Sequence, residues 1–151
     1  MDSTAATVDH IKRVQRLLDG IRENLTQRAR CHDASKLIEP EKSAFDRLES
    51  LKLSDIPYGS DEYRAALKSE SPAIRHHYEV NDHHPEHHPA GIASMSLMAI
   101  EEMLADWKAA SERVRDGSLE QSFDHNVTRF GFSPEIEQIL FNTAKELGWL
   151  T

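Results

Sequence analysis

Apolar residues recur along this chain at intervals of three and four, the spacing of one face of a helix. Val14, Leu17, Leu18, Ile21 and Leu25 fall at i, i+3, i+4, i+7 and i+11, which predicts a first helix over residues 7–27. A short second helix is expected over RARCHDASKL, and Pro40 suits the first turn of a third, PEKSAFDRLESL. DIPYGS, with its proline and glycine, reads as a loop. Ser60 then caps SDEYRAALKSE, and SPAIRHHYEVN opens with Ser71 as N-cap and Pro72 at the first helical position. HHPEHHPAG carries two prolines and a glycine, so no α-helix runs through it. The longest helix is expected over residues 94–115, ending at Asp116-Gly117, followed by SLEQSFDHNVTRF and by SPEIEQILFNTAKEL, which stops at Gly148. No alternating apolar run is long enough for a sheet strand. The pattern predicts an all-α chain, a single domain over residues 1–151 built as a compact bundle of about seven to eight helices.

Composition narrows the function classes. No apolar run approaches the ~20 residues that span a bilayer, and the first residues lack the apolar core of a secretory signal. A lone cysteine, Cys31, rules out an intramolecular disulfide and suits a reducing cytoplasm. Cys31 itself reads as a small buried side chain. The net charge of −8 argues against a general grip on nucleic acid, yet a few local cations or metal ions can still hold a small anionic substrate.

The chemistry is concentrated in IRHHYEVNDHHPEHH, residues 74–88, which holds six of the nine histidines. His77 and Asn81 are one helical turn apart, and His84 follows seven residues after His77. His77 and His84 are expected to be metal ligands, with His83 and His87 in reserve and His76 and His88 outside the centre. A second stretch, CHDASK, sets His32 beside Asp33 on what reads as a helix. An imidazole beside a carboxylate suits a divalent ion of intermediate hardness: manganese, iron, cobalt, nickel or zinc. His10 lies on the apolar stripe of the first helix, and Asp106 lies among Met103, Leu104 and Trp107, where a buried carboxylate needs a cationic partner.

A helical chain with His10, then His32-Asp33, then a distant Asp106 resembles the HD superfamily of metal-dependent phosphohydrolases. Lys36, in HDASK, stands where many of those enzymes carry a lysine. More closely, HHYEVNDHHPEHHPAGI, EMLADWKAASER and NTAKELGW resemble a small uncharacterised family of phages and bacteria with HDxSK and HHxxNxHHPEH motifs. The HD resemblance implies a helical domain holding one or two divalent ions through His10, His32, Asp33, His77, His84 and Asp106. Two ions bridged by Asp33 would activate a water for attack on phosphorus. In that scheme Lys36, Lys108 and Arg113 bind the phosphoryl oxygens, Glu86 or His87 protonates the leaving oxygen, and the substrate is a small phosphate ester such as a nucleotide.

Two other readings remain open. Related helical proteins hold two irons with histidine and aspartate ligands and activate oxygen. The histidines can also serve a non-catalytic, metal-dependent nucleotide-binding protein. No membrane partner is expected, and an acidic helical domain with two tryptophans can form a homodimer.

Overall fold

A computed structural model of the chain describes residues 2–51, 56, 60–113 and 117–150. Seven α-helices occur among the described residues, with no strand: α1 (Thr4–Cys31), α2 (Glu41–Ser50), α3 (Asp61–Ser69), α4 (Ser71–Val80), α5 (Leu97–Arg113), α6 (Leu119–Phe130) and α7 (Pro134–Glu146). Short 3-10 turns at Ala34–Leu37, Pro85–His87 and Gly91–Ser94 lie between helices among the described residues. None of the described helices is long and apolar enough to cross a membrane. The all-α expectation is met.

The chain divides into two units, Met1–His32 and Asp33–Thr151. The first is α1 with its C-cap His32. At 28 residues α1 is the longest helix, exceeding the 17 of α5, contrary to the expectation that the longest would cover 94–115. None of its residues is buried, and Val8, Ile11, Val14, Leu17, Leu18 and Ile21 are between 39% and 64% exposed. His10 is likewise exposed, and so is Cys31, which accepts a hydrogen bond from Gln27. Cys31 is therefore not the buried side chain its neighbours suggested.

The second unit has its apolar core where α5, α6 and α7 meet. Ile100, Met103 and Leu104 pack with Leu119, Phe123, Phe132, Leu140, Ala144 and Leu150. Trp107, Phe130, Phe141 and Trp149 close over this core as partly buried neighbours. Caps fix where the helices begin. Ser60, Ser118 and Ser133 each accept from the backbone N–H three residues on, satisfying donors that a helix start leaves open. Gly131 ends α6 at φ 63, a left-handed position that costs glycine little.

Two local expectations change. Ser71 is already helical, with Glu70 as the cap, so Pro72 takes the second position of α4. RARCHDASKL is not one helix: α1 ends at Cys31, and Asp33 turns the chain at φ 54 into the 3-10 turn Ala34–Leu37. Most of DIPYGS, including Tyr58, and the Asp116 helix stop lie outside the described residues.

Leu104 is 1% exposed in the centre of the α5–α7 core. Leu104→Ala is expected to destabilise the fold by about 2–5 kcal/mol, measured as a lowered urea midpoint with little change in slope.

Candidate metal centre

Three pieces of the second unit bring polar side chains together, and local backbone rules explain each. The first is the turn at Asp33. Its φ of 54 lies in the left-handed region, which aspartate tolerates better than most residues. A 3-10 turn has about three residues per turn, so residues i and i+3 eclipse. That spacing sets the Lys36 ammonium 2.5 Å from Asp33 Oδ2. The Lys36 chain also lies over the Phe45 ring, 4.8 Å from its centroid.

The second piece runs from α4 into the turn at Pro85. His77 and Asn81 share a face one turn apart, and Asn81 Nδ2 donates to the His77 carbonyl at 2.8 Å. The helix stops at Val80, and Pro85 holds the preceding residue, His84, in extended backbone at ψ 130. The chain so reverses that His84 Nε2 comes within 2.9 Å of His77 Nε2. His83 is 2% exposed, and its ring packs against that of His84 with centroids 4.2 Å apart.

The third piece is α5. While Ile100, Met103 and Leu104 face the core, Glu102 and Asp106, four residues apart, meet His83. Glu102 Oε1 is 3.3 Å from His83 Nδ1, and a carboxylate oxygen of Asp106 lies within 4.8 Å of a His83 ring nitrogen.

Around Asp33 these pieces form one cluster. Asp33, His77, His83 and His84 each present a ligand atom, all within 4.8 Å of one another. Asp33 Oδ1 is 3.3 Å from His77 Nε2 and 3.5 Å from His83 Nε2. Two donors each ~2.1 Å from an ion stand ~3.0 Å apart at a right angle and ~3.4 Å at the tetrahedral angle. The observed spacings are therefore close to the edges of a coordination polyhedron.

Charge within the cluster favours neutral imidazoles, the state that binds metals. Burial pushes His84 down to about 3, aided by His83 and His77, while Asp106 and Asp33 pull the other way. Burial also lowers His77, with the Lys36 ammonium adding to it, and Asp33 and Glu41 oppose it only in part.

The outcome for the sequence candidates is mixed. Asp33, Lys36, His77, His84 and Asp106 meet in this region, and His83, held in reserve, is its most buried histidine. His10 and His32 belong to the N-terminal unit, where His32 is the C-cap of α1 and not a residue inside a helix. The remaining candidates have other partners. Glu86 takes the Arg129 guanidinium at 2.5 Å, Lys108 pairs with Glu112 at 3.1 Å, and Arg113 pairs at the surface with Glu49 at 3.3 Å. His87 is exposed and donates from Nδ1 to the Tyr78 carbonyl at 3.2 Å. None of these four is in the group around Asp33.

Two carboxylates went unnoticed in the sequence, Glu102 and Glu41. Glu41, in the first turn of α2, is fully buried. Burial pushes its carboxyl up, but hydrogen bonds from His76, Ser35 and His77 more than offset this and leave its pKa below the ordinary value.

Residues 1–146 match the profile of a family of unknown function, DUF5662. The chain belongs to DUF5662. No curated protein and no solved structure matches it. The match runs from α1 into α7, so every residue of the cluster in this DUF5662 member falls inside the family's span.

Both perturbed histidines carry folded pKa values below the ordinary one, so the unfolded chain takes up protons first as the pH falls. Metal-free protein is therefore expected to lose stability below about pH 6.5, by up to ~1.4 kcal/mol per pH unit for each group. The share of His84 is spent once the pH reaches its folded value of about 3. Urea midpoints between about pH 7.5 and 5, where ordinary carboxylates stay ionised, measure this loss. His84→Asn is expected to make the dependence shallower, and an unchanged slope would contradict the assignment.

Proposed function

We propose that this protein is a metal-dependent phosphohydrolase acting in the cytoplasm on a small phosphate ester, with nucleotides the favoured class. The observation that carries the reading is the meeting of Asp33, His77, His83 and His84, with ligand atoms all within 4.8 Å. Three imidazoles and a carboxylate suit manganese, iron, cobalt, nickel or zinc better than the all-oxygen shells of calcium or magnesium. Asp106, beside His83, extends the donor set, and His32 and His10 remain ligand candidates on the sequence pattern alone.

A divalent ion held there supplies a water of lowered pKa and neutralises charge that develops on a phosphoryl group. The chain's own residues supply the rest. Asp33 offers Oδ1 to the cluster while its Oδ2 holds the Lys36 ammonium. Lys36 is half-buried at the edge of this group and is the cation best placed to bind a non-bridging oxygen. Lys108, Arg113 and Glu86 each hold a partner outside the group around Asp33, Glu112, Glu49 and Arg129 respectively. The nucleotide preference comes from the HD resemblance.

Elemental analysis of protein purified without an affinity tag is the test, with Asp33→Ala beside the wild type. The expected result is about one to two equivalents of a transition metal in the wild type, lost in the variant. Metal-dependent release of phosphate from a nucleotide panel should then follow, and fall at least about tenfold in Lys36→Met. Iron together with oxygen uptake would favour the oxygenase reading. No metal in either protein, even after loading, would overturn the proposal.

A further inference from the structure

The hydrogen-bond network behind His77 determines which of its nitrogens carries the proton. Glu41 Oε1 is 2.8 Å from His76 Nδ1, and Oε2 is 2.9 Å from His77 Nδ1 and 2.8 Å from Ser35 Oγ. Asn81 Nδ2 is 2.8 Å from Ser35 Oγ and 2.8 Å from the His77 carbonyl. The carbonyl only accepts, so the amide must turn its NH2 towards it, and both amide hydrogens are then spent on the carbonyl and on Ser35. Asn81 Nδ2 also lies 3.0 Å from His77 Nδ1, but it has no hydrogen left to give. Ser35 has one hydrogen, and its shorter contact is to Glu41, at 2.8 Å against 3.3 Å to His77 Nδ1. An ionised carboxylate only accepts. His77 Nδ1 must therefore be the donor.

We infer that Glu41 is a positioning residue which, supported by Ser35 and Asn81, locks His77 as the Nδ1–H tautomer and aims its bare Nε2 at Asp33. That nitrogen is 3.3 Å from Asp33 Oδ1 and 2.9 Å from His84 Nε2, so its lone pair stands between a carboxylate and a second imidazole, where a cation would meet all three. On the neighbouring histidine, Glu102 Oε1 is 3.3 Å from His83 Nδ1, and His83 Nε2 is 3.5 Å from the same Asp33 oxygen. The serine of HDASK and the asparagine of HHYEVN each gain a defined role, since the serine hydroxyl donates to Glu41 and the asparagine amide holds that serine in place.

The tautomer stands on the network alone, whereas its consequence for metal affinity rests on the metal-centre reading, and the experiment separates the two. Metal-free protein labelled with 15N-histidine is studied near neutral pH by long-range 1H–15N correlation, with His77 assigned by comparison with His77→Gln. The expected signature is a protonated Nδ1 and a bare Nε2. A protonated Nε2, or two tautomers in exchange, would overturn the inference, and the wild-type protein suffices to decide it.

Cobalt(II) titration of Glu41→Gln should then show about 10- to 100-fold weaker binding with unchanged stoichiometry and an altered visible spectrum. Wild-type affinity in that variant, folded by circular dichroism, would remove Glu41 from the positioning role. Should Glu41→Gln fail to fold, Glu41→Asp replaces it, the shorter carboxylate withdrawing the acceptor from Nδ1, with mixed His77 tautomers and weaker cobalt binding expected, and an unmixed Nδ1–H state with wild-type affinity counting against Glu41. A wild type that binds no cobalt but shows the Nδ1–H tautomer would end the metal reading and leave the network assignment standing.

Discussion

A negative charge kept out of water organises the centre of the second unit. Glu41 is fully buried, and an unmet carboxylate in such a place would cost several kcal/mol. Three donors surround it: the Ser35 hydroxyl and the Nδ1 groups of His76 and His77. Its position in the first turn of α2 adds the favourable end of the helix dipole. None of these donors comes from α2 itself, so the charge ties together the 3-10 turn that follows Asp33, helix α2 and helix α4. The apolar contacts of Phe45 with Lys36 and His77 lie around the same junction. Stability and site geometry are therefore not separable here, because the group that orients His77 is also the one whose burial must be balanced.

The division of labour along α5 follows from helix geometry. Ile100, Met103 and Leu104 anchor it in the core, while Glu102 and Asp106, one turn apart, meet His83. A helix fixed by its apolar side gives its polar side little freedom to drift, which is how a constellation acquires precision without strain in every member. The exception is Asp33. It is the one non-glycine residue at positive φ among those described, and it stands where the cluster converges. Backbone held in a sparsely populated region is a pattern that accompanies functional positions.

Much of this was legible in the sequence. The serine cap at Ser60, the proline near the start of α4 and the glycine after α7 are local signals, and they set those helix ends to within a residue or two. His77 with Asn81 followed from turn spacing, and His84 from its place seven residues after His77. What escaped was long-range. Nothing near Glu41 in PEKSAFDRLESL separates it from a solvated first-turn glutamate, since its partners are six and thirty-five or more residues away. Glu102 was hidden in the same way beside Glu101. The turn at His32-Asp33 was missed because nothing in CHDASK breaks a helix by propensity, and only the left-handed φ of Asp33 does. Glu86 and His87 were misplaced for the opposite reason. Sequence proximity to the cluster suggested a role, but the Pro85 turn directs Glu86 to Arg129 and leaves His87 exposed.

Electrostatic balance constrains what such a centre can bind. The chain carries a net charge of −8, and among the described residues the ammonium in contact with Asp33 is that of Lys36, already shared with the carboxylate. A net charge of −8 repels a polyanion overall. Under the proposed function a small phosphate ester would be a different case, because an ion seated among neutral imidazoles would add positive charge that Asp33 alone only partly cancels. That ion would also compete with Lys36 for Asp33, loosening the ammonium for use on a substrate oxygen. The size of the anion accepted would then depend on how much of its charge one ion and one lysine can meet, which favours compact esters over nucleic acid strands.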